Sequence, residues 1–121
     1  MGEFNHSSLG LMQVKTIEGF TYIDFFQIIR CEADCKHTLI YCKDQPGAIR
    51  SVSSLSAIEA QLPDDFFFKC HRSQIINLRH LQKFAKFDRI IHLNDNQSAT
   101  ISEDRIGEFL KRTANPFYGK R

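Results

Sequence analysis

The 121-residue sequence predicts a mainly β domain decorated with two short helices. Three observations predict it. Apolar residues gather in runs of strand length, turn-forming clusters separate those runs, and apolar spacing of helical period occurs only twice. A chain of this length buries about 65% of its unfolded surface, enough for one self-sufficient core. With 42% hydrophobic and 25% charged residues, the composition is that of a globular domain and excludes wholesale disorder. No apolar run approaches the ~18 residues of a membrane span, and no signal-peptide pattern opens the sequence. A cytoplasmic location is therefore expected, with the four cysteines reduced rather than paired.

Met1–Gly10 lacks periodicity and reads as a disordered start or a vector-derived remnant. Leu11–Ile17 alternates as a strand, and Phe20–Ile23 resumes after Glu18-Gly19. Asp24–Gln27 fits one helical turn before Ile28–Ala33, which reads as a buried strand. Thr38–Lys43 pairs with that strand across the tip Asp34-Cys35-Lys36-His37. Asp44-Gln45-Pro46-Gly47 is a turn signal, and Ala48–Val52 is the next strand.

Leu55, Ile58 and Leu62 then fall at i, i+3 and i+7, with Ser54 as N-cap and Pro63 just past the end. Strand signals return at Phe66–Cys70, Gln74–Ile76, Leu81–Phe87, Arg89–Leu93 and Ser98–Ile101. Asn94-Asp95-Asn96-Gln97 forms a hairpin turn, because Asn and Asp tolerate left-handed backbone. The last element is a helix capped by Ser102, with Glu103 and Asp104 at its positive end and Lys111 and Arg112 at its negative end. Ile106, Phe109 and Leu110 give it an apolar face, and Asn115-Pro116 stops it. No repeats or linkers interrupt the chain, so one domain is expected.

Charge is distributed unevenly. Lys69, Arg72, Arg79, Lys83, Lys86 and Arg89 stand against Asp88 alone in residues 69–89, giving that stretch +5 against −3 for the rest. Lys111, Arg112, Lys120 and Arg121 form a second cluster. Such polarity suits a phosphate-binding face, though a solvated surface reads the same way.

Enzymatic and metal chemistry find little support. Cys31-x3-Cys35-x-His37, Cys42 and Cys70-His71 lack the paired knuckles of a structural zinc site. Cys70 and His71, neighbours on a strand, point to opposite faces and cannot readily share a proton. There is no glycine-rich phosphate loop and no G-x-S-x-G. Two adjacent helices for a helix-turn-helix are missing, and Phe66-Phe67-Phe68 lacks the glycines of an RNA-recognition strand, so it reads as core.

The stretch Leu62–Leu78 is different in texture: an apolar strand runs into His71-Arg72-Ser73, then into a second apolar piece ending in Asn77. Its pattern L-P-x-x-F…H-R-S-x-I-I-N resembles the central signature of the LytTR-type DNA-binding domains of bacterial response regulators. The resemblance extends from about Leu11 to Thr113, leaving residues 114–121 as a basic mobile tail. It implies a mainly β fold, an elongated arrangement of small antiparallel sheets with two short helices. It also implies sequence-specific reading of double-stranded DNA in the major grooves by loops and strand ends, without catalysis or cofactor.

Carried over by position, His37 at the hairpin tip matches one DNA-contacting site and Arg72 a second. Arg offers a rigid fork of donors for guanine or phosphate, and His can donate to either. Lys36 beside His37, and Lys69 or Ser73 beside Arg72, can hold phosphates and set register. The rival role for Arg72 is a salt bridge to Asp64, Asp65 or Glu59, while His71 suits packing and Asn77 a turn. The third site begins at Ser102. There the family carries basic residues directly after the serine, whereas Glu103 and Asp104 follow it here and Arg105 comes third. Arg105 takes over that role or the contact is weak, and a different target sequence is expected either way. The implied partners are duplex DNA carrying paired short repeats, bound as a dimer on DNA, and a receiver or sensor domain in the full-length protein. The alternative is a protein-interaction module for an acidic partner.

Overall fold

Adjacent apolar pairs dictate the architecture. Successive strand residues face opposite sides of a sheet, so Ile28-Ile29, Phe67-Phe68 and Ile75-Ile76 can all be buried only if both faces of their sheet are covered. The computed structural model describes residues 9–114 and contains such a sheet. In chain order the strands are β1 (Leu11–Thr16), β2 (Gly19–Asp24), β3 (Ile28–Asp34), β4 (His37–Cys42) and β5 (Ala48–Ser51), followed by helix α1 (Leu55–Glu59). Then come β6 (Phe67–His71), β7 (Gln74–Asn77), β8 (Leu81–Ala85), β9 (Ile90–Leu93) and β10 (Ser98–Thr100), and helix α2 (Ile106–Thr113) closes the fold. The central sheet is antiparallel with order β5-β4-β3-β7-β6; β1-β2 form a separate hairpin, and β10-β9-β8 a three-stranded sheet.

Each face has its own core. Met12, Val14 and Ile23 of the hairpin and Leu55, Ile58 and Leu62 of the α1 region pack with Ile28, Phe67 and Ile75. On the other face Ile29, Phe68 and Ile76 meet Ile91, Leu93, Ala99, Ile101 and Phe109. A register shift between Ile28 and Arg30 bends β3, so that Ile29 joins the second core while Cys31 returns to the first. Phe66 packs on the rim of the first core, its ring stacked on Phe26 at 5.3 Å.

Turn chemistry fixes the ends. Asp95 and Asn96 both adopt left-handed φ in the β9–β10 turn, as their side chains permit. Asp95 accepts from the Asp44 amide at 2.7 Å, and Gln97 accepts from Arg30 Nε at 2.8 Å, tying this turn to the central sheet.

Several boundaries differ from the sequence expectation. Helix α1 ends at Glu59, and Gln61 and Leu62 continue as i→i+3 turns onto Ile58 and Glu59, because Pro63 disfavours helical backbone at Leu62. Ser102 precedes the last helical segment, but its hydroxyl makes no capping bond; Glu103–Arg105 form a 3-10 turn and α2 starts at Ile106. Leu110 is 44% exposed, so α2 buries Phe109 and leans on Ile106 alone. Gly10, assigned to the irregular start, is part of the fold: its carbonyl accepts from the Phe25 amide at 3.1 Å. Residues 1–8 and 115–121, which hold most of the expected disordered start and basic tail, lie outside the described residues.

Asn77 does more than close a turn. It is fully buried, its Nδ2 donates to the carbonyls of Ile28 (2.9 Å) and Phe25 (3.3 Å), and its Oδ1 accepts from the Arg79 amide (2.8 Å). Asn77→Ala strands these groups without water, so we expect a stability loss of about 3 kcal/mol. Urea denaturation checks this; a lowered midpoint with unchanged slope is expected, and a change below ~0.5 kcal/mol contradicts the assignment.

Candidate nucleic-acid interface

Strand direction collects the candidate residues at one end of the central sheet. β3 and β6 run toward that end, β4 and β7 away from it, so the turns 34–37 and 71–74 sit side by side. The Ala33 amide donates to the Ser73 carbonyl at 2.8 Å and links the two tips directly. Three inter-strand steps separate β4 from β6, a span of about 14 Å at the usual strand spacing.

At the first tip, left-handed Cys35 (φ 57) turns the chain and leaves Lys36 exposed. Arg50, on the neighbouring β5, pairs with Asp34 and so cancels the acid at this tip. Its Nη1 also lies 3.5 Å from His37 Nδ1. A guanidinium can only donate, so this contact favours the tautomer with a free Nδ1 lone pair and leaves Nε2–H as the ring's donor. Arg50 escaped the sequence reading; its register opposite Leu39 follows once β3-β4-β5 is recognised as a meander.

The second tip is a two-residue loop in which His71 and Ser73 bracket Arg72. His71 Nδ1 accepts from the Ser73 amide at 3.2 Å and lies 3.0 Å from its hydroxyl. Both flanking side chains therefore hold the loop, and Arg72 is left exposed, with no ion pair among the described residues. Of the acids that could have captured it, Glu59 pairs with Lys69 at 3.5 Å, and neither Asp64 nor Asp65 forms an ion pair among the described residues, although their backbone carbonyls bind the Arg112 guanidinium.

The third position adjoins the second. The Ser102 amide donates to the Cys70 carbonyl at 2.9 Å, which brings the corner after β10 against the end of β6. Arg105 folds back over it: Nε donates to the Lys69 carbonyl at 3.0 Å and the guanidinium covers the Phe68 ring at 4.5 Å. Lys69, Arg72, Ser102 and Arg105 thus line one open cleft of about 650 Å³, together with Glu59, His71 and Asp104. Glu103 is turned away to Arg89 at 3.6 Å, whereas Asp104 is exposed in the cleft. All seven predicted residues occupy this end of the molecule, in two groups: Lys36 and His37 at one tip, the other five around the second.

The basic run 69–89 does not form one face. Arg79 lies at the opposite end, over the Phe26 ring at 5.0 Å, and Lys83 lies on β8. Lys86 and Arg89 belong to the β8–β9 turn, which meets the Ser102 corner through the Ile101 amide and the Arg89 carbonyl at 3.0 Å.

Residues 18–113 match the LytTr DNA-binding domain family. The chain belongs to that family. Its fold is similar to the solved LytTr DNA-binding domain described as that of a methyl-accepting/DNA response regulator from Bacillus cereus. The TM-score is 0.70 at 24% identity, over 88% of this chain and 98% of that one. No curated protein matches the sequence. DNA binding is thus the family role of this LytTr domain, and among its described residues no helix is long and apolar enough to cross a membrane.

The cysteines sort by environment. Burial pushes the Cys42 thiol up to about 11 and the Cys70 thiol up to about 12, and Cys70 Sγ lies 3.4 Å from the Thr100 carbonyl. Cys31 is likewise buried, raised to about 12 by desolvation and then by Cys42, while Cys35 is exposed. A thiol-labelling reagent at pH 8 should modify one cysteine in the native LytTr domain and four after denaturation. Raised folded-state values also mean that the unfolded chain loses these protons first. The thiols' contribution to stability should be fully present below pH 9 and be lost as pH rises from 9 to about 12. Rapid native labelling of two or more thiols contradicts the packing described.

Proposed function

We propose that this LytTr domain is the output domain of a bacterial transcription regulator and binds double-stranded DNA sequence-specifically, reading major grooves with strand-end tips. The observation that carries this reading is the row of donors at one end of the central sheet, where Asp34 and Glu59 are paired with cations and Asp104 alone stands exposed in the cleft. Arg72 stands free on a loop stiffened by its neighbours, the arrangement that suits a bidentate contact to guanine O6 and N7. His37 offers a ring donor and Lys36 a mobile charge for phosphate. Strands β4 and β6, the outer arms of the two tips, stand ~14 Å apart, comparable with the ~12 Å width of a major groove.

The third position plays a smaller part in this reading. Arg105 gives Nε to the backbone and its face to Phe68, so what it offers DNA is the remaining Nη edge. Lys69 and Ser73 mainly set the geometry around Arg72. The reading includes a receiver or sensor domain in the full-length protein and two copies of this domain on paired short repeats of DNA.

Salt and sequence dependence test the proposal. Neutralising about six phosphates predicts a slope of log K on log salt near −5. Arg72→Ala should cost about 1–3 kcal/mol on a selected site and far less on random duplex. Equal losses on both would reduce Arg72 to a backbone anchor, and a duplex affinity indifferent to salt would favour an acidic protein partner instead.

A further inference from the structure

The β8–β9 turn carries a side chain that folding does not explain. Phe87 is 104% exposed, the most exposed of the large apolar side chains among the described residues. The turn that presents it is tight: the Arg89 amide donates to the Lys86 carbonyl at 3.2 Å, and Arg89 adopts a left-handed φ of 55. Phe87 and Asp88 are its two central residues. A phenyl ring held in water at the apex of a closed turn forgoes its transfer free energy, so burial against a partner is where it gains.

The position of the turn says which partner. β10 runs toward the Ser102 corner, β9 runs back from it, and β8 returns, so the turn lies at the same end as Arg72 and His37. Arg89 anchors it there, through its carbonyl to the Ile101 amide (3.0 Å) and through Nη1 to Glu103 (3.6 Å). Lys86, Phe87 and Arg89 line an open cleft of about 530 Å³ with Glu103 and Ile106. The 3-10 turn Glu103–Arg105 separates that cleft from the one around Arg72. Around the ring Lys86 and Arg89 balance Asp88 and Glu103, so the position of the turn beside the Arg72 end, with Lys86 in no ion pair among the described residues, points to DNA rather than any net charge of the patch.

We propose that Lys86-Phe87-Asp88-Arg89 is a further DNA-contacting tip. The Phe87 ring lies against the apolar sugar and base surface flanking the groove read by Arg72, and Lys86 holds a phosphate. This rests on the DNA-binding reading above and adds a contact outside the three family positions. An uncharged ring contributes affinity without counterion release, which separates its role from that of the lysine.

The test uses the whole chain with two probes: a duplex recovered from a random pool by the wild-type protein, and unselected random duplex. Phe87→Ala should weaken binding to both about tenfold, the cost of returning roughly half of a phenyl ring's area to water. Its salt slope and thermal midpoint should match the wild type. Lys86→Ala should instead lower the salt slope by about 0.9. The chain has no tryptophan, so Phe87→Trp supplies a single indole at the tip, excited selectively over the three tyrosines, whose fluorescence should change on saturation with duplex. Wild-type affinity for Phe87→Ala, or emission from Phe87→Trp indifferent to DNA, would overturn the proposal and assign the ring to a protein partner. A wild-type chain that binds neither duplex would instead sink the DNA-binding reading itself.

Discussion

The pairing of β3 with β7 sets the geometry of the rest of the molecule. Residues more than 40 positions apart meet there: Arg30 opposite Ile76, Cys31 opposite Ile75 and Glu32 opposite Gln74, with the Ala33 amide closing onto the Ser73 carbonyl. One ladder thereby does two jobs. It places an apolar residue of each strand in each of two cores, and it lays the tip carrying His37 beside the tip carrying Arg72. A one-residue slip would exchange the faces of Ile75 and Ile76 and displace Arg72 together with them. Register at the interface is therefore held by burial some distance behind it, and Asn77 locks the far end of the same ladder by bridging β7 to the start of β3.

Electrostatics follow from the same frame. Near the tips, Asp34, Glu59 and Glu32 each lie against a cation, namely Arg50, Lys69 and Arg30. These pairs are partly exposed and contribute little to stability. Their consequence is to mask carboxylates where a polyanion would approach. Asp104 is the exception, an exposed acid in the cleft beside Arg72, where it would repel phosphate. A carboxylate in a major groove can accept from cytosine N4, so an acid here biases base preference more than it supports affinity.

Much of this was legible in the sequence, for identifiable reasons. The hairpin tip 34–37, the turn 94–97 and the Ser54 cap are local, so turn chemistry and capping sufficed. The signature around His71-Arg72-Ser73 pointed to a family, and the family match carries the fold with it. Non-local facts were hidden. Arg50 reaches the tip by strand order, Arg105 is drawn inward by the Phe68 ring, and the basic run splits because Arg79 and Lys86 fall at opposite ends. Helix limits shifted where tertiary hydrogen bonds competed with local preference, as at Ser102, whose amide is committed to Cys70. Nothing in the spacing marked Phe87 as different from the core phenylalanines, since solvent exposure at a turn apex depends on which residues close the turn.

Selection of bound duplexes from a random pool, run in parallel on the wild-type chain and on a His37→Ala, Arg72→Ala double variant, addresses the central claim most directly. Paired tips reading base edges predict that the wild type enriches a repeated short element and that the folded double variant enriches none, while keeping weak, salt-sensitive affinity for any duplex. Recovery of the same element by both proteins would show that these two tips do not read the DNA.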